Sequence, residues 1–172
     1  MKLECLSSSH HASLLRFELD NRAWFERFIE PRPKAFYSDN GILAHIDEYH
    51  RAFQSGELFP GLLIAQGEIL GRFNLRQISL SERSATLGYR LAQVHTGKGL
   101  ATRGVALMQT HARDILGLTT LKAQVLDNNP ASLRVLRKRG FQPATYHPQA
   151  ATIGNTVCGR TEMFWQSANS SG

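Results

Sequence analysis

The stretch HTGKGLATRG, His95 to Gly104, sets two glycines around a lysine, between a strand-like run and a helix-like run. Such a junction brings unpaired backbone N–H groups and the positive end of a helix dipole to one point. Anions bind there, and glycine lets a phosphate approach the backbone with no Cβ in the way. Lys98 adds a mobile positive charge and Thr102 a hydroxyl. Two familiar nucleotide loops fail to match. The triphosphate loop, G-x-x-x-x-G-K-[ST], would need glycine at Ala92 and Ser or Thr at Gly99. The dinucleotide loop, G-x-G-x-x-G, would need glycine at Thr102. Taken alone, Gly97-x-Gly99 is equally a tight turn into a helix.

Working outward, ATLGYRLAQV (85–94) reads as a strand before the loop. LATRGVALMQTHARDIL (100–116) reads as a helix with Ala101, Val105, Met108, Ala112 and Ile115 on its inner face. TTLKAQVL (119–126) is a strand again. In NNPASLRVLRKRGF (128–141), Asn129 is a natural N-cap, Pro130 sits at N1 and Gly140 marks the stop. FQPATY and GRTEMFWQ supply two final strands. Upstream, FPGLLIAQ and EILGRFNLRQI form a hairpin about Gly67. KLECLS is a short first strand, and the pattern from Ser9 to Phe59 is helical, broken by EPRPKAFYSDNG. Leu14, Phe17, Asn21, Trp24, Phe25 and Phe28 fall near one face, as core rather than as a stacking platform. The order β-α-α-β-β-β-α-β-α-β-β predicts a mixed α/β fold with a central sheet.

YRLAQVHTGKGLATRGVALMQTHARDILGLTTLKAQVLDNNPASLRVLRKRGFQPA resembles the GNAT N-acetyltransferases, in particular the branch that acetylates ribosomal-protein N-termini. Gly88-Tyr89, Gly97-Lys98-Gly99 with Ala101-Thr102, Asn129 with Ser132, and Gly140-Phe141 carry the resemblance in order. It implies a single domain over residues 1–166, with a central mixed twisted sheet flanked by helices and a flexible tail at 167–172. It further implies that acetyl-CoA is the acetyl donor, with its pyrophosphate on the loop. Leu91, Ala92, Val94, Thr96, Gly97, Lys98, Gly99, Leu100, Ala101, Thr102 and Asn129 would line the coenzyme, and backbone N–H groups near Leu91 to Val94 would polarise the thioester. Ser132 would be the general acid for the departing thiolate. From spacing alone, Asn129 and Ser132 equally form a helix cap.

The departures bear on chemistry. Val94 stands at the first place of the family's loop, and Arg103-Gly104 follows the threonine where the branch often has Glu-Ala. Some relatives carry a catalytic glutamate at the place of Gln124 and a tyrosine at that of Leu136. With both absent, an acceptor already partly neutral is expected. An N-terminal amine, with a pKa of about 7.7–8.0, suits that better than lysine at about 10.4. Glu82 is a weak alternative base. The expected acceptor is therefore the N-terminal amine of a protein or peptide, with ribosome association a further expectation. A small amine, or an inactive acyl-CoA-binding module, are the alternatives.

Composition bounds the rest. The chain has 172 residues, a formal charge of +6 and two unpatterned cysteines, Cys5 and Cys158. Reduced thiols, a cytoplasmic location, no signal peptide, no membrane span and no metal are expected, as monomer or homodimer. His10-His11 are adjacent, so on a helix they point apart and suit the surface. The basic run RVLRKRG complements a helix's last turn or meets an anionic partner.

Overall fold

At Gln66-Gly67 both residues take positive φ, 52° and 78°. This is the backbone of a tight two-residue hairpin turn, and it joins β2 (Leu58–Ala65) to β3 (Glu68–Ser79). The computed structural model describes residues 1–167. In them β1 (Lys2–Cys5), β2, β3, β4 (Ser84–Leu91), β5 (Thr120–Leu126), β6 (Gln142–Ile153) and β7 (Thr156–Gln166) form one sheet. Its order is β1-β2-β3-β4-β5-β7-β6. Every neighbouring pair is antiparallel except β4–β5.

That parallel pair sets up the site. Its ladder runs from Ser84 opposite Thr120 to Leu87 opposite Ala123 and then ends. β4 continues to Leu91 and β5 to Leu126, so the two strands part beyond that point.

Side chains alternate across a strand, and here each face collects its own helices. Phe73, Leu75, Leu87, Leu121 and Met163 form one core with Val105 and Met108 of α4 (Leu100–Thr110) and Leu136 of α5 (Pro130–Lys138). Burying a side chain such as Val105 or Met108 contributes about 1.5–3 kcal/mol. Leu62, Ile64 and Ile69 face the other way, against Leu14 and Phe17 of α1 (His11–Asp20), Phe25 of α2 (Arg22–Phe25), and Ile42 and Ile46 of α3 (Asp39–Gln54). The mixed α/β architecture is as the sequence predicts.

Several details differ from expectation. The helical region is broken into α1, α2, a 3₁₀ turn at Lys34–Tyr37 and α3, and β2 already begins at Leu58. The strand expected through Val94 ends at Leu91, and a 3₁₀ turn covers Gln93–His95. Ile115, placed inside by a 3.6-residue period, is 71% exposed. A π-helical turn over His111–Ile115 is the cause, since its wider winding rotates the face and brings Leu116 onto the core instead. The tail was expected from 167, yet Ser167 donates its N–H to the Thr119 carbonyl at 2.9 Å. The rest of that tail lies outside the described residues.

Gly104 has a packing reason. A Cβ there would be driven into the ring of Phe73, which stacks on Tyr89 with centroids 5.3 Å apart and planes 4° from parallel. The ~1 kcal/mol that glycine costs inside a helix is offset by this close approach of α4 to the sheet.

Candidate active site

The loop after β4 is shaped for an anion. Gly97 and Gly99 have φ of 73° and 74°, and a Cβ at either would meet nothing within 4 Å. The first backbone bond into α4 runs from the Arg103 N–H to the Gly99 carbonyl at 3.1 Å. The amides of Leu100, Ala101 and Thr102 are thus the orphan donors of a helix start. Lys98 is exposed beside them. The Thr96 hydroxyl is already used, donating to the Gln93 carbonyl at 2.7 Å. These features fit a pyrophosphate.

Upstream, one expectation needs correction. The amides of Ala92 and Gln93 are committed to the fold, donating to the Leu70 carbonyl and to Asn21 Oδ1, each at 2.9 Å. Leu91 and Ala92 are buried and Val94 is exposed. The part of β4 with no ladder partner on β5 is Gly88 to Leu91.

On the α5 side of this gap, Asn129 caps the helix: its Oδ1 accepts the Ser132 N–H at 3.1 Å. The Ser132 hydroxyl lies 2.9 Å from that of Tyr89, on β4. Burial pushes the Tyr89 phenol up to about 12, opposed by its hydrogen bond to Ser132. It is a proton donor throughout the physiological range, not a base. Leu136, which stands where some relatives carry a tyrosine, is sealed in the core. The phenol beside Ser132 comes from the sheet. No local signal marks that pairing, because Tyr89 and Ser132, 43 residues apart, meet only through the fold.

The opposite face of the gap is built differently. Glu18 of α1, 1% exposed, accepts from Arg72 Nη1 at 2.7 Å and also from Arg90 Nη2. His45 of α3 lies 2.7 Å from Arg72 through Nε2. Burial, then the charge of Arg72, lowers its pKa to about 2, so the ring stays neutral and accepts. Burial lowers Arg90 to about 10, against the pull of Glu18. Arg90 also lies over the Phe25 ring at 4.5 Å. Gly88 and Gln124 are exposed on this face. No local pattern signals this cluster, whose members come from α1, α3, β3 and β4.

Other candidates fall away. Glu82 is exposed beyond the opposite end of β4 from the glycine loop. His10 and His11 approach different carboxylates, Glu4 at 3.5 Å and Asp39 at 3.2 Å. Among the described residues no group of three or more His, Cys, Asp or Glu could hold a metal ion. Arg139, from the basic run, donates to Gln109 Oε1 at 3.0 Å and so ties α5 to α4. No helix among the described residues is long and apolar enough to cross a membrane.

Comparison with known proteins bears on the family and the fold. The pattern of the acetyltransferase (GNAT) domain matches residues 2–142. A probable N-acetyltransferase of Bacillus subtilis (strain 168), YjcK, is 33% identical over 130 residues, covering 74% of this chain and 72% of that one. The ribosomal L7/L12 alpha-N-protein acetyltransferase RimL, solved with coenzyme A, superposes with a TM-score of 0.88 at 21% identity, over 95% of this chain and 92% of that one. A spermidine N-acetyltransferase from Vibrio cholerae, solved with coenzyme A and spermine, gives 0.81 at 20% identity, over 96% and 94%.

Proposed function

The chain belongs to the GNAT acetyltransferase family, which uses acetyl-CoA as donor, and on that premise we propose that its acceptor is the N-terminal amine of a protein or peptide. One observation carries the choice. On the open face of β4, β5 and β7 the charged side chains left once Arg90 is paired with buried Glu18 are Lys122, Arg160 and Glu162, so cations still outnumber carboxylates. A polycation such as spermidine is repelled there, whereas a peptide brings one ammonium and neutral amides.

The residues divide the work. The amides from Gly97 to Thr102 and the Lys98 ammonium bind the pyrophosphate. The oxygen of Asn129 is spent on its cap, which leaves its NH₂ to meet the pantetheine arm. The backbone N–H groups of Gly88–Leu91, which have no β5 ladder partner while the Leu91 carbonyl accepts the Trp24 indole N–H at 3.2 Å, orient the thioester and polarise its carbonyl, as preorganised donors do. Ser132, backed by the Tyr89 phenol, gives the departing thiolate its proton. The acceptor comes from the Gly88 face and forms the C–N bond as the C–S bond breaks.

The test is a panel of acceptors. Peptides beginning with Ala or Ser should give a kcat/KM at least about tenfold above spermidine and free amino acids, a difference of ~1.4 kcal/mol in transition-state binding. Spermidine as the better substrate would overturn the reading. Coenzyme binding with no turnover on any amine would favour an inactive module.

The loop has its own prediction. Gly99→Val puts a branched side chain at φ 74°, where phosphate must approach. Acetyl-CoA affinity should fall about a hundredfold or more, ~2.7 kcal/mol. Stability should fall as well, by about 1–2 kcal/mol, because an L-residue is forced into left-handed backbone. Unchanged coenzyme binding by calorimetry would remove the loop from the site.

A further inference from the structure

The chain has an amide, Gln124, where some relatives carry a catalytic glutamate, and Glu82 lies past the far end of β4 from the glycine loop. The register supplies another. Gln124 is the first β5 residue beyond the last β4–β5 pair, and its partner on β7 is Glu162. Paired residues of a ladder share a face, so Glu162 lies on the Gly88 face, level with the point where the strands part. Over Gly88 a Cβ would meet nothing within 4 Å, so the face is open there.

We propose that Glu162 is the base that deprotonates the acceptor amine, directly or through one water. Strands lie about 4.7–4.9 Å apart, which puts β7 roughly 10 Å from β4 and ~7 Å from the middle of the gap. A glutamate side chain with one bridging water spans that distance, which is the reach a general base requires. The carboxylate is held for the task. His147 Nε2 of β6 lies 3.2 Å and Arg160 Nη2 3.9 Å from the same oxygen, Oε1, and the side chain is 39% exposed. Among the described residues no salt bridge engages Oε2. Lys122 of β5 and Arg90 of β4, the latter paired with Glu18, are the other charged groups on this face among the described residues. Arg27, from the segment that crosses to accept the Asn128 side-chain N–H at 2.9 Å, lies over the Trp24 ring at 5.0 Å.

The step balances. Glu162 takes one proton from the acceptor ammonium, the nitrogen lone pair forms the C–N bond, and the C–S bond breaks. Ser132 gives its proton to the thiolate and is restored by the second proton, which the nitrogen sheds as the amide forms; Glu162 returns its own to solvent, so that one proton is released overall. The inference rests on the acetyltransferase reading but not on which amine is the acceptor.

Glu162→Gln keeps the shape and removes the base. Near pH 7, kcat/KM should drop about tenfold, because on the order of a tenth of an N-terminal amine is already neutral there and needs no base. Acetyl-CoA affinity by calorimetry and Tm should hold. The deficit should shrink as pH rises through the acceptor's own amine pKa, near 7.7–8.0 for a peptide N-terminus, because a neutral amine needs no base. A purely structural role would give a deficit independent of pH, and that result, or no deficit, overturns the proposal. It is equally overturned if an acceptor-independent inflection survives in Glu162→Gln and disappears in His147→Gln, which assigns the proton to the imidazole. Wild-type enzyme that acetylates only small amines defeats the peptide reading alone, and the Glu162 comparison then runs on those amines.

Discussion

Ser132→Ala should lower kcat by about 10²–10⁴-fold, the usual contribution of a general acid, with little change in the KM for acetyl-CoA. The geometry makes this a clean experiment. Ser132 takes part in the cap of α5 through its backbone N–H, which alanine retains, so the bond to Asn129 Oδ1 survives the substitution. What is lost is the hydroxyl and its 2.9 Å contact with Tyr89. Stability should therefore fall modestly, by the ~1 kcal/mol of one hydrogen bond. An interaction made chiefly in the transition state lowers kcat and kcat/KM together. Asn129→Ala is the converse control. It removes the cap, about 1 kcal/mol, and weakens coenzyme binding while the Ser132 hydroxyl stays. Were Ser132→Ala to leave kcat intact, the proton donor would have to be sought at Tyr89 itself.

What the sequence revealed follows the range of the interaction. The glycine loop, the Asn129-Pro130 start and the Gly140 stop are local, with their signals written in adjacent residues. They appear where expected, Gly140 with φ of 81°. Ile115 was misplaced because helical period is local too, but the π-helical turn that overrides it answers to packing. The amides of Ala92 and Gln93 were offered to the thioester, yet Leu70 and Asn21 claim them from distant segments. Tyr89 and Glu162 were visible as residues and not as groups. Nothing in either neighbourhood says that the phenol meets α5, or that β7 pairs with β5 in the register that sets Glu162 beside Gln124. The Gly104 contact lies between: a glycine in a helix signalled close approach, and only the fold named Phe73.

The buried cluster under the acceptor face is the most distant of these and carries the second large effect. Glu18 is 54 residues from Arg72 and 72 from Arg90, and it is the shared carboxylate of both. Glu18→Gln should destabilise the protein by about 3–5 kcal/mol, the cost of leaving buried charge unpaired. Of a total that is typically about 5–15 kcal/mol, that is a large part. The neighbours give no relief. His45 is neutral and sits on Arg72, and Arg90 is stacked on Phe25, and among the described residues neither guanidinium has a second carboxylate in a salt bridge. Asn or Gln at His45 keeps an acceptor for Arg72 and should cost far less. Because Arg90 neighbours Tyr89 on β4, the loss should also reach the site, lowering kcat in whatever fraction stays folded. Denaturant melts of Glu18→Gln, Arg72→Met and the double variant decide the matter. If the ion pair acts as described, the double change costs less than the sum of the single ones, since each single change strands a charge that the double removes. Additive losses would show that Glu18 and Arg72 are held by packing alone.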